Sequence, residues 1–198
     1  MAAMIRLASL DDAGQIADIY SHFVLNTPVS FESEAPDGAE TSRRIVAVLE
    51  HYPWLVCDVD GVVAGYAYAS QHRVRFHYQW SVDVSVYVHE AFRRRGIGKA
   101  IYTALLNVVP MQGFVSAFAG ITLPNSASVK LHEAMGFLPV GVYRNVGNKL
   151  GKWHDVGWWQ LPLAEPPSNP LRPLKLEQVV QLAMWQDGLA KGNDLLNF

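Results

Sequence analysis

The chain is poor in the residues that mark several common kinds of protein. It has a single cysteine, Cys57, among 198 residues. No disulfide framework can form within one chain, and this usage fits a reducing compartment. No apolar run approaches the roughly 18 residues that a membrane-crossing helix needs. Charged side chains make up 17% and the net charge is −2. That balance lacks the basic excess of a general nucleic-acid or membrane-surface binder, and neither partner is expected. The seven histidines are scattered, with no H-x-x-x-H spacing and no cysteine partners, so no metal site is expected. The opening "MAAMIRLASLDD" has no basic-then-apolar signature of a secretory signal. The expectation is a cytoplasmic protein. Internal repeats and low-complexity segments are also missing.

What is there is a core. Half of the residues are hydrophobic, and the length suits one domain with an appendage. "MIRLA" reads as a strand. Ile16, Ile19, Tyr20 and Phe23 then mark one face of an amphipathic helix, with Ser9 as its expected N-cap. "TSRRIVAVLEHY" is helical in pattern. Two apolar runs joined at Asp60-Gly61 predict a hairpin. "WSVDVSVYV" is a strand, and Ile97, Ile101, Leu105 and Val108 mark a second amphipathic helix. "GFVSAFAGIT" is a strand. A short helix follows, capped by Asn125 or Ser126 and closed by Gly136. "FLPVGVYRNVG" and "KWHDVGWWQLPL" supply two more strands.

Helices alternate with strands, yet hairpins occur. The expected fold is therefore α/β, with a mixed central sheet of six to seven strands flanked by helices on both faces. Residues 1–163 are read as the domain. Residues 164–198 begin with "AEPPSNPLRPLK", four prolines in twelve residues, and end in one tail helix expected to pack on its own domain or on a partner.

The stretch "YVHEAFRRRGIGKA" raises the functional question. Glycines after a strand let a ligand approach the backbone, and a helix start offers free N–H groups with partial positive charge. Arg93, Arg94, Arg95 and Lys99 add fixed charge. The combination predicts an anion site, with phosphate the usual guest; a solvated basic turn is the plainer alternative. A P-loop would need Gly, four residues and then Gly-Lys-Ser/Thr, and Arg93, five before Gly98, and Ala100 break that pattern. A dinucleotide fingerprint would need Gly at Ile101. What remains is R-x-x-G-x-G, residues 93–98.

A strand, this turn and a helix in succession resemble the acetyl-CoA site of the GNAT superfamily of N-acetyltransferases. "TPVSFE", "GITLPNSASVKLHEAMGF" and "VGNKLGKWHDVGWWQ" further resemble its phosphinothricin and methionine-sulfone acetyltransferase branch, over about residues 4–163. The resemblance implies that Arg93, Arg94, Arg95, Gly96, Ile97, Gly98 and Lys99 hold the CoA pyrophosphate. It implies that Val86, Tyr87 and Val88 pair with the pantetheine arm through their backbone, and that Asn125 touches CoA. Asp83, an acid in an otherwise apolar strand, is costly unless paired or functional. Related enzymes carry Glu at that position, and the resemblance implies that Asp83 takes the amine proton, through water; a structural salt bridge is the other reading. His132 is implied as the acid towards the leaving thiolate. Phe31, Glu32, Tyr78 and Trp80 are implied as pocket residues, and Arg75 suits an amino-acid carboxylate. Cys57 reads as core. The implied reaction is acetyl transfer to the α-amino group of a small amino acid, by a homodimer. The other readings are acetylation of another amine or a protein N-terminus, or a noncatalytic acyl-CoA sensor.

Overall fold

The computed structural model describes residues 2–197. Along the chain come β1 (Ala3–Leu7), α1 (Ala13–Asn26), α2 (Gly38–Leu49), β2 (Trp54–Val59), β3 (Val62–Gln71), β4 (Ser81–Val88), α3 (Ile97–Val108), β5 (Ser116–Leu123), α4 (Ser126–Ala134), β6 (Leu138–Lys149), β7 (Lys152–Pro162), α5 (Leu176–Val179) and α6 (Ala183–Asn193). The strands form one sheet in the order β1-β2-β3-β4-β5-β7-β6. Only β4 and β5 run parallel; the other neighbours are antiparallel. The sheet is mixed, as the sequence predicts.

Helices cover both faces. On one, Ile16 and Ile19 of α1 and Ile45 of α2 pack against Trp54, Val56 and Tyr66. On the other, Ile97, Ile101, Leu105 and Val108 of α3 are all buried, the four positions whose spacing marked that helix. Asp60 and Gly61 take the positive φ values, 50° and 84°, that a two-residue hairpin turn needs. Gly136 closes α4 at φ 92°, a conformation that favours glycine. Ser9 differs from expectation. A single turn, residues 10–12, separates it from α1. Its N–H donates to the Asp12 carboxylate at 2.7 Å, and Asp12 also binds Arg6 at 2.7 and 2.8 Å.

The tail differs too. It is two helices, broken at residues 180–182. The reason is phase. Trp185 lies nine residues beyond Leu176, half a turn out at about 3.6 residues per turn. One straight helix would put the two side chains on opposite faces. The break lets Leu176, Val179, Trp185 and Leu189 all enter the cluster that α3 and the sheet share. Gly188 and Gly192 permit the close approach, since a Cβ at Gly192 would stand 2.6 Å from the Ala100 carbonyl oxygen. The proline-rich arm is pinned on the way. The Trp80 indole donates to the Leu171 carbonyl at 2.7 Å, and the buried Gln112 amide donates to the carbonyls of His51 and Leu174 at 2.7 and 2.8 Å.

Candidate active site

The site begins where the sheet opens. β4 and β5 pair only at Ser81↔Ser116, Val82↔Ala117 and Asp83↔Phe118. Beyond these they separate, while β4 stays bonded to β3 and β5 to β7. Residues 84–88 therefore turn one backbone edge towards a cleft rather than a strand. The cleft is a cavity of about 60 Å³. Val86, Tyr87, Asn125, Tyr102 and His132 line it. Tyr87 is fixed by aromatic neighbours, Tyr20, Phe23 and Tyr66, each with its ring centre 5.1–5.2 Å away. A larger apolar cavity of about 250 Å³ lies under α1 and α2, and no carboxylate–imidazole pair lines it.

The predicted anion turn stands at the mouth. Arg94 and Gly96 adopt left-handed φ, 63° and 81°, and Gly96 is the N-cap of α3. The first-turn N–H groups of Ile97, Gly98 and Lys99 have no partner within the helix. Arg93, Arg94 and Arg95 are exposed, and two are steadied on aromatic faces: Arg93 on Phe23 at 5.5 Å and Arg95 on Phe92 at 5.6 Å. A Cβ on Gly98 would lie 3.4 Å from Leu131 of α4 and 3.5 Å from Val88 of β4. That is ordinary contact, so protein packing does not demand glycine there. Asn125 caps α4 with its oxygen, accepting the Ser128 N–H at 3.1 Å. Its NH₂ has no partner among the described residues and lies on the cleft. The cap and a ligand contact are thus compatible.

Asp83 sits at the closed end, in the last pair before the strands part. It is neither lone nor bonded to a cation of the expected kind. His72 Nδ1 lies 2.6 Å from its Oδ1. Burial pushes the Asp83 carboxyl above the usual range, against the pull of the His72 hydrogen bond. The His72 ring stacks on Phe118, 4.2 Å between centres and 14° between planes. Sequence reasoning missed His72. The signal was in the hairpin register: β3 pairs Ser70 with Asp83, which leaves His72 two residues further on the same face.

His132 is buried. Its Nδ1 lies 2.8 Å from the Ser128 carbonyl and so donates to it; its Nε2 then accepts from the Tyr102 hydroxyl at 3.1 Å. Burial lowers its pKa. It is a neutral acceptor, and the proton nearest the cleft belongs to Tyr102. A neutral His132 with Nδ1 committed to a carbonyl has no proton to offer at Nε2, which changes the role expected of it.

The implied substrate residues part company. Tyr78 stays beside the His72 ring, 6.1 Å between centres. Arg75 and Arg73 are both exposed; Arg73 lies over the Trp158 ring at 5.3 Å, next to His72. Trp80 is committed to the arm at Leu171. Phe31 packs at Gly147 and His154. Burial raises the Glu32 carboxyl, but Arg44, at 2.9 and 3.0 Å, and the Tyr20 hydroxyl, at 2.9 Å, outweigh it and hold it low. Glu32 thereby ties its loop to α1 and α2. Cys57 is core, its thiol pushed up to about 12 by burial.

A turn suited to an anion, an open strand edge and a half-buried carboxylate–imidazole pair thus lie in succession along β4. Residues 5–158 match the family model described as the acetyltransferase (GNAT) domain. The chain belongs to the GNAT acetyltransferase family. It is 42% identical to the phosphinothricin N-acetyltransferase of Streptomyces viridochromogenes, over 86% of this chain and 93% of that one. It is 34% identical to the L-methionine sulfoximine/L-methionine sulfone acetyltransferase of Salmonella typhimurium, over 81% and 95%. Among solved structures, a phosphinothricin acetyltransferase of Sinorhizobium meliloti in complex with acetyl-CoA superimposes with a TM-score of 0.81 at 34% identity, over 88% and 95%. The GNAT family accounts for the turn, the open edge and the fold together.

Proposed function

We propose that this GNAT acetyltransferase moves the acetyl group of acetyl-CoA directly to the α-amino group of a small amino acid or analogue, of the phosphinothricin, methionine sulfoximine or methionine sulfone type. The observation that carries the reading is the divergence of β4 and β5. It leads from a pyrophosphate-sized anion turn to Asp83 along one strand edge, the path a pantetheine arm would follow as an added strand. A backbone N–H of residues 86–88 would meet the developing oxyanion, worth about 3 kcal/mol per donor. The amine loses its proton at the Asp83–His72 end. The departing sulfur is served at the other side of the cleft by the Tyr102 hydroxyl, which His132 orients. Arg73, beside His72, suits the carboxylate of an amino acid better placed than Arg75 does.

A noncatalytic sensor would have no use for a carboxylate–imidazole pair at the end of the cleft, and that pair disfavours the reading. We also propose a cytoplasmic homodimer. The edge strand β6 leaves Leu138, Val140, Val142 and Tyr143 exposed, an apolar edge of the kind that is normally covered. The test of function is release of free CoA thiol with mass spectrometry of the acceptor, across phosphinothricin, methionine sulfone, other amino acids, polyamines and a peptide N-terminus. Acetylation of the peptide in preference to every free amino acid would refute the substrate class; no thiol release with any amine would refute the enzyme.

A further inference from the structure

The Asp83–His72 pair has an internal division of labour that can be read from its geometry. With Nδ1 2.6 Å from a carboxylate oxygen, the ring donates from Nδ1, which leaves the lone pair on Nε2. Among the described residues the hydrogen bond to Asp83 is the only one the ring makes. The ring cannot swing. Phe118 stacks beneath it, and Trp158 and Tyr78 meet it edge-on, each with its centre 6.1 Å away. Its side chain is 10% exposed, that of Asp83 27%. Phe118 and Asp83 are the last bonded pair before the cleft. The ring therefore stands beside that last pair, and Ser85 and Gly120, two residues on from Asp83 and Phe118 and on the same face, line the cleft.

We propose that His72 is the group that takes the proton from the substrate ammonium, with Asp83 as its positioning carboxylate. This rests on the acetyltransferase reading and deepens it. The Nε2 lone pair is the one the pair leaves uncommitted, and an imidazole is the side chain most often used as a general base. The charged groups around it are few. β4 supplies Asp83, the ring's own loop supplies Arg73 over Trp158, and β5 and β7 present only Phe118 and Trp158. Tyr78 is the other titratable neighbour. Asp83 stabilises the imidazolium; Arg73 opposes it and favours passing the proton on.

The step balances. An ammonium N–H bond breaks as Nε2–H forms, and the freed lone pair attacks the thioester carbonyl carbon. The C–O π pair moves to oxygen. On collapse the C–S bond breaks with its electron pair on sulfur. The second proton leaves the same nitrogen and is delivered to that sulfur. The imidazolium then loses its proton to solvent.

The test is the pH profile of kcat/KM for L-methionine sulfone with acetyl-CoA. His72→Asn keeps a donor towards Asp83 and removes Nε2. It should cost 10²-fold or more at pH 7, within the usual range for a lost general base. Its rate should climb towards high pH with the free amine, without the acid limb of the wild type. Acetyl-CoA affinity should stay within about twofold. His72→Ala should be rescued by added imidazole in proportion to its concentration, a readout that a packing role would not give. A folded His72→Asn protein with the wild-type acid limb and less than a threefold loss, or an Ala variant deaf to imidazole, overturns the assignment and leaves Asp83 as the base. If wild-type protein transfers no acetyl group to methionine sulfone, phosphinothricin or methionine, the functional reading fails first, and this one falls with it.

Discussion

Gly98 tests the proposed placement of acetyl-CoA, because its own packing does not require glycine. It lies in the first turn of α3, with φ in the ordinary helical range, and a Cβ there meets Leu131 and Val88 at 3.4 and 3.5 Å. Gly98→Ala therefore fits without strain. It removes the conformational freedom that glycine has in the unfolded chain, a gain of up to about 1 kcal/mol. For a chain of this size that is a rise of roughly 2–4 °C in Tm. Gly98→Val adds two more methyl groups. Leu131 and Val88 already stand at contact distance, so on the proposed placement of the ligand the added methyl groups crowd the anion at this turn. Acetyl-CoA binding should weaken tenfold or more, about 1.4 kcal/mol, with Ala intermediate. Gly96 is the contrast. At φ 81° its replacement by Ala forces a left-handed residue, costing about 1–2 kcal/mol, and lowers Tm. Scanning calorimetry reads the stabilities and titration calorimetry the affinities. Unchanged acetyl-CoA affinity in a folded Gly98→Val protein would falsify the placement of the ligand at this turn.

Three further outcomes are expected. Asp83→Asn should lower the maximal rate by about 10² or more with acetyl-CoA affinity unchanged; a drop in Tm with near-normal turnover would mark Asp83 as merely structural. His132 has a folded pKa below its ordinary 6.5, so the unfolded chain binds the proton more readily, and the stability it confers is present above pH 6.5 and lost as pH falls below it. His132→Phe should flatten the Tm–pH curve on that acid side; an unchanged slope counts against a neutral buried imidazole. Wild-type protein should sediment as a dimer at micromolar concentration and Val142→Glu as a monomer; a monomeric wild type refutes the β6 interface.

Much of this was legible in the sequence because it rests on local patterns. The four buried positions of α3, the Asp60-Gly61 hairpin and the 93–98 turn each follow from spacing or from the φ that glycine permits. The fold class follows from their order. What was not legible depends on register and on three-dimensional neighbours. His72 meets Asp83 only because β3 and β4 pair in one register out of several. The ion pair of Glu32, implied only as a pocket residue, appears once α2 brings Arg44 to it. The character of His132 is set by its neighbours in the fold: the Ser128 carbonyl holds the Nδ1 proton, and Tyr102, thirty residues away, meets the Nε2 lone pair. The tail looked like one helix because periodicity tolerates Trp185 at the wrong phase, whereas packing does not.

The contact between α6 and the first strand has a consequence for how the chain is born. The Ile5 N–H donates to Asn193 Oδ1 at 2.6 Å, across 188 residues, and α6 lies along Ala100, Ala104 and Val108 of α3. A ribosome adding about 5–20 residues per second needs roughly ten to forty seconds between those two ends. Through that interval the nascent sheet can form, but the small-residue face of α3 has nothing to lie against and stays wet. α6, made long after the strand it bonds to, is thus the segment that seals the hydrophobic interior. A protein ending near residue 163 would hold every part of the cleft and still expose that face, as an aggregation-prone surface rather than as a smaller enzyme.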